Sequence, residues 1–240
     1  MAQPSTAASI ADVVERLRAI EASAARSDGV ACFARLYREV TEAVGAETAF
    51  ADRRFLERLD LVFANRFFDA LDATSVPPAW APLFEARGRR GIAPLQFALA
   101  GMNAHINFDL PLALVTTCDE RGVELRCHSP EHADFELVNT LLERVEERIK
   151  RSYLTGPLRT LDRIVHRCDR IDDVVAMWDV RRARDAAWTN AEMLWSIRGD
   201  PALRESFVGA LGRSVGFAGR GLLIPSDTLL ARLSRLFGRS

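Results

Sequence analysis

Apolar residues recur along most of the chain at the i, i+3, i+4, i+7 spacing that gives a helix one buried stripe. Ile10, Val13, Val14, Leu17 and Ile20 predict a first amphipathic helix, and Phe33, Leu36, Tyr37, Val40 and Val44 a second. Phe55, Leu56, Leu59, Val62, Phe63, Phe67 and Leu71 predict a third. Pro77, Pro78 and Pro82 then break the pattern, and Gly88 and Gly91 follow. Pro94 suits the first turn of the next helix. That helix runs to about Leu110, where Pro111 should end or kink it. Between Ala113 and Cys127, the residues Val115, Thr116 and Thr117 and a turn-like DERG predict a small hairpin. Helical spacing resumes from near Pro130 to about Lys150, again from about Pro157, and from Ile171 to Ile197. Pro201 opens a further helix that ends in GFAGRG, and Ser226 caps a last one carrying Leu229, Leu230, Leu233, Leu236 and Phe237. No repeat and no Gly/Ser-rich linker divides the chain. The expected fold is all-α: a frayed N-terminus over residues 1–8, then one helical domain over 9–240. It should be bundle-like, about eight to ten helices around a buried central helix at about 94–110.

Composition narrows the partners. Thirty-two Lys and Arg against 33 Asp and Glu leave a formal net charge of −1 over 240 residues. That balance argues against a dedicated nucleic-acid binder. There is no run of about 18 apolar residues, so no membrane span is expected. The N-terminus lacks the basic start and apolar core of a signal peptide, and the expected location is cytoplasmic. Cys32, Cys118, Cys127 and Cys168 then read as free thiols.

The chemistry is signalled by polar residues where a core is expected. PLQFALAGMNAHINFDLPLAL, residues 94–114, is apolar nearly all round, as a helix buried on every side would be. Yet it carries His105 and Asp109 as i, i+4 neighbours, with Gln96, Asn103 and Asn107 on roughly the opposite face. A buried carboxylate costs several kcal/mol unless something compensates it. His105 can be that partner, or both can ligate one metal ion from adjacent turns. Arg66 falls inside the apolar stripe of the third helix and Asp60 at its edge, where a buried ion pair is the structural reading. Further on, one face collects Trp178, Arg181, Asp185, Trp188, Glu192 and Trp195. Asp162 and His166 form a second His/Asp pair at helical spacing. Gln96, Asn103 and Asn107 read as groups that cross-link helices. G-x-G-x-x-G, Walker A, H-E-x-x-H and G-x-S-x-G signatures are absent, as is the E-x-x-H of ferritin-like di-iron bundles.

The segments FLERLDLVFANRFFDAL, LQFALAGMNAHINFDLPLA, DFELVNTLL and ARDAAWTNAEML resemble a bacterial family of unknown function common in actinobacteria. The resemblance covers roughly residues 35–225, and its most specific element is N-A-H-I-N-x-D. That family looks related to a non-haem di-iron monooxygenase of diterpenoid natural-product biosynthesis. Carried over by position, the resemblance points at Asp60, Arg66, His105, Asp109, Asp134, Asp185 and Trp188; His166 is outside the pattern.

These readings combine into an expected non-haem metal monooxygenase with two iron ions, zinc or manganese being the alternatives. His105 and Asp109 would be catalytic and ligate metal, with Asp60, Asp162, Asp185 and Glu192 supplying further carboxylates. Arg66, Gln96, Asn103, Asn107, Asp134 and Trp188 would support them or wall the pocket. The partners would be an apolar small-molecule substrate, dioxygen and a separate reductase. The last helix would pack on the domain or on a second subunit, as in a homodimer. Two rivals remain: a metal-dependent hydrolase of the same fold, and a non-catalytic helical protein whose buried polar network only fixes packing.

Overall fold

A computed structural model describes residues 6–45, 50–155 and 179–225, with the side chains of 143–155 outside the description. All the regular structure in these segments is helical. In chain order it comprises α1 (Ile10–Ser23), α2 (Gly29–Gly45), α3 (Arg53–Asp72), α4 (Ala81–Ala86), α5 (Pro94–Ala104), a π-helical turn (His105–Asp109), α6 (Leu110–Arg121), α7 (Pro130–Thr155), α8 (Val180–Ser196) and α9 (Pro201–Leu222). The helices expected from about Pro157, over residues 171–178 and from Ser226 lie outside the described residues, as do Asp162, His166, Cys168 and Trp178.

Local chemistry sets the boundaries. Ser9, Asp52, Asp179 and Asp200 each accept a backbone N–H of the first turn of α1, α3, α8 and α9, satisfying a donor that has no partner inside the helix. Gln96 does the same for α5 by accepting from Ala93 N at 3.0 Å. Gly122 closes α6 in the left-handed conformation, φ 64°, the usual helix stop.

The α5–π–α6 unit is the axis of the domain. Every residue from Leu95 to Ala104 is buried. α2, α4, α8, α9 and α3 pack around this axis. Close approach is built in by glycine: a Cβ on Gly101 would sit 2.4 Å from the Phe33 ring of α2, and one on Gly216 of α9 would sit 2.2 Å from the Pro78 carbonyl oxygen.

One expectation needs correction. The 113–127 stretch is not a hairpin; 110–121 is helix, and DERG is its C-terminal turn. The helix from Pro201 ends at GFAGRG as expected: α9 closes at Leu222, and its Gly212, Gly216 and Gly219 form a contact face. At the start of the described residues, Ala7 is buried and its backbone exchanges two hydrogen bonds with the Asn65 side chain, at 2.8 and 3.0 Å. Among the described residues no helix is long and apolar enough to cross a membrane.

Candidate functional site

Pro111 explains the local geometry. It has no N–H to donate, and its ring crowds the carbonyl four residues back, that of Asn107. The chain widens to a π-turn in which Leu110 N–H reaches back to His105 O, five residues away. His105 and Asp109 stand at the two ends of that turn and face one another.

His105 Nδ1 lies 2.9 Å from Asp109 Oδ2, and the two side chains are 1% and 4% exposed. Trp80 Nε1 donates to the same oxygen at 3.0 Å. An indole can only donate, so this oxygen accepts from Trp80, an arrangement that favours the tautomer in which His105 Nδ1–H donates to it as well. In that tautomer the lone pair of the ring is on Nε2. That atom is buried and has no hydrogen-bond partner among the described residues. Phe63 stacks face to face on the imidazole at 3.5 Å and 7°, and Tyr37 meets it edge-on at 4.5 Å. Burial pushes the His105 pKa down against the bond and charge of Asp109, which keeps the ring neutral at neutral pH. Burial pushes the Asp109 carboxyl up, while His105, Arg66 and Trp80 hold it down.

Next to this pair lies a cavity of about 50 Å³, lined among others by Tyr37, Asp60, Phe63, Met102, His105 and Arg184. It has room for a few waters or one hydrated ion. Burial raises Asp60 from 3.8 to about 6, against the opposing charge of Arg184 and with that of Glu57 adding. The Asp60 carboxylate accepts no hydrogen bond among the described residues. Arg184 lies 4.0 Å over the Phe135 ring and bonds Asn139 Oδ1 and the Phe135 carbonyl. Burial lowers it to about 10, with Asp60 the main opposing charge. Burial also raises the Tyr37 phenol, Asp60 and Asp109 adding to the effect.

The other expected site residues are spread more widely. Arg66 does not pair with Asp60; its Nη2 donates to Leu112 O at 3.3 Å and Thr116 Oγ1 at 3.1 Å, binding α3 to α6. Its charge acts on Asp109 through space. Asp134 accepts from Ala51 N at 2.9 Å and Asp52 N at 2.7 Å, which fixes the start of α3. Gln96 donates to Leu222 O and Ile224 O, Asn103 to Val215 O, and Asn107 to Asn103. This stripe ties α5 to α9, as its sequence position suggested. Glu192 accepts from Cys127 N at 2.8 Å. Asp185 is exposed and accepts from Asn139 at 3.3 Å. Trp188 is buried against Phe135 and His132, and its Nε1 has no partner among the described residues.

The buried face of α8 is Val180, Arg184, Ala187, Trp188, Ala191 and Leu194. This is about one residue of rotation from the expected face, so Arg184 points inward where Asp185 was expected. Arg184, Tyr37 and Trp80 are the site residues that the sequence reading missed. The unbroken 180–184–187–191–194 spacing carries the signal for Arg184.

The donor set can be tested against the iron that the family resemblance implies. The unpartnered imidazole nitrogen of His105 and the Asp60 carboxylate, faced by the charge of Arg184, line one small cavity, and both are donor types that a divalent ion accepts. Asp109 then becomes the carboxylate that orients the ligating histidine. A second ion would need Asp185 and Glu192, whose oxygens are engaged elsewhere, or Asp162. Among the described residues no three His, Cys, Asp or Glu side chains converge. Among the described residues, His105 and Asp60 are the candidate donors that line this cavity.

No curated protein and no solved structure matches the chain. A family model does, over residues 10–225, and the chain belongs to that family, described as a family of unknown function, DUF5995.

Proposed function

We propose that the protein is a metal-dependent enzyme centred on His105 Nε2 and Asp60, and that it acts as a non-haem iron monooxygenase on a small apolar molecule. The observation that carries this reading is the buried, unpartnered Nε2 of a ring whose Nδ1 is held on the far side by Asp109, itself bonded by Trp80. A histidine held in that way is the usual form of a metal ligand. Iron held there would supply dioxygen activation, with electrons from a separate reductase. The chain's own residues do the rest. Asp109 keeps the proton on Nδ1, and Trp80 braces Asp109. Phe63 and Tyr37 exclude water from the imidazole faces. Asp60 offers a hard oxygen donor, and Arg184 offsets its charge.

Metal analysis of the purified and iron-reconstituted protein tests this reading, with His105→Ala and Asp60→Asn variants alongside. The expectation is one iron per chain, lost in both variants. Zinc lost in the same way would move the reading to hydrolysis by a metal-bound water. A second reading has an observation of its own. The face-to-face Phe63 stack and the Trp80 bond would serve equally well in a purely structural polar core. Absence of metal after reconstitution, with a large loss of stability in His105→Ala, would establish that reading instead.

A further inference from the structure

A second cavity, of about 150 Å³, opens between the start of α1, the end of α2 and the first turns of α3. Val44, Leu56 and Asp60 line both this cavity and the His105 chamber. The two spaces therefore share one wall, and Asp60 is the polar group in it. We propose that the outer cavity is the substrate vestibule of the His105 chamber, and that it takes a single-ring-sized apolar molecule carrying one hydrogen-bond donor, which Asp60 accepts. This rests on His105 being the working end of the site.

Size and chemistry set the ligand class. A largely apolar space of about 150 Å³ holds a molecule the size of benzene. The vestibule walls are Ile10, Val44, Phe50 and Leu56. Its rim charges, Arg53 and Glu57, are paired with one another at 2.8 Å and offer little to a ligand. The Asp60 carboxylate is the acceptor left unmet among the described residues. Its charge disfavours an anion, and a donor such as a hydroxyl completes it. A large polycyclic substrate would present only one ring here.

The vestibule can be plugged without disturbing the core. A Cβ on Gly45, at the rim, would meet nothing within 4 Å. The probe is deuterium exchange at the imidazole Cε1–H, which needs only solvent at the ring, read at His105 by peptide mass spectrometry. Exposed His128 is the internal control. Gly45→Trp should slow labelling of His105 by about tenfold or more and leave His128 unchanged, whereas Gly45→Ala should alter neither. In the wild type, phenol should protect His105 at about fivefold lower concentration than anisole, the ratio one net hydrogen bond gives. Asp60→Leu should erase that ratio. Unchanged labelling in Gly45→Trp, or no labelling of wild-type His105, would overturn the access route. Equal protection by phenol and anisole, or protection by neither, would overturn the ligand class. None of these readouts needs bound metal, so a metal-free protein would defeat the oxygenase reading and leave this one standing or falling by itself.

Discussion

Replacing Asp60 with asparagine should make the protein more stable at neutral pH. The folded chain holds this carboxyl at about 6 against an ordinary value of 3.8. A difference of about two units, at 1.36 kcal/mol each, amounts to about 3 kcal/mol. The folded value lies above the unfolded one, so the folded state binds more protons between them. The wild type keeps this stability below about pH 4 and loses it as pH rises through about 6. The asparagine side chain has almost the shape of the protonated acid and nothing to titrate. Urea unfolding of both proteins at a series of pH values measures the difference. The midpoints should coincide near pH 4 and diverge to about 1 M in favour of the variant at pH 7, taking an m-value of about 3 kcal/mol/M. Other titrating groups are common to both proteins and cancel. A variant less stable than wild type at pH 7, or a difference that does not change with pH, would refute the argument. A carboxylate kept at such a cost to the fold is what a working group in a site looks like.

Other substitutions test the frame that holds the site. Gly216→Ala should destabilise by about 3 kcal/mol or more, because its Cβ would sit 2.2 Å from a backbone carbonyl that has no side-chain freedom to move away. Thermal or urea unfolding reads this directly. Trp80→Phe removes the indole donor to Asp109 Oδ2 and leaves a small void. At about 2 kcal/mol for a hydrogen bond to a charged group and about 1 for the void, urea unfolding at pH 7 should show a loss of about 3 kcal/mol.

Much of this is legible in the sequence, and the exceptions have physical causes. The stripes of α1, α2 and α3 and the all-round apolar α5 follow directly from burial. The His105/Asp109 pair is visible because an i, i+4 spacing on a helix brings side chains together. The misread stretch 113–127 contains β-branched residues, but Thr116 back-bonds to Leu112 O and Thr117 is buried, so tertiary packing overrides intrinsic preference. The GFAGRG glycines mark the end of α9, but their second role, letting Gly216 meet the Pro78 carbonyl as Gly212 meets the Phe108 ring, depends on neighbours that the segment does not encode. Tyr37 is hidden for the opposite reason. It fits the apolar stripe of α2 so well that nothing marks it as a wall of the chamber. Trp80 lies in the proline-broken stretch, and no periodicity links it to Asp109. The cavity itself is a property of several helices meeting, which no single segment encodes.

In the proposed site His105 presents an unprotonated Nε2 to the chamber while Asp109 holds its proton on Nδ1. Nitrogen-15 NMR of histidine-labelled protein, recorded from pH 5 to 8 and then with zinc added, tests it most directly. One histidine should stay in the neutral Nδ1–H form across that range, its Nε2 resonance alone shifting on metal addition and all trace of it absent in His105→Ala. An Nε2–H form, or a His105 that titrates near the ordinary 6.5 and ignores metal, would contradict it.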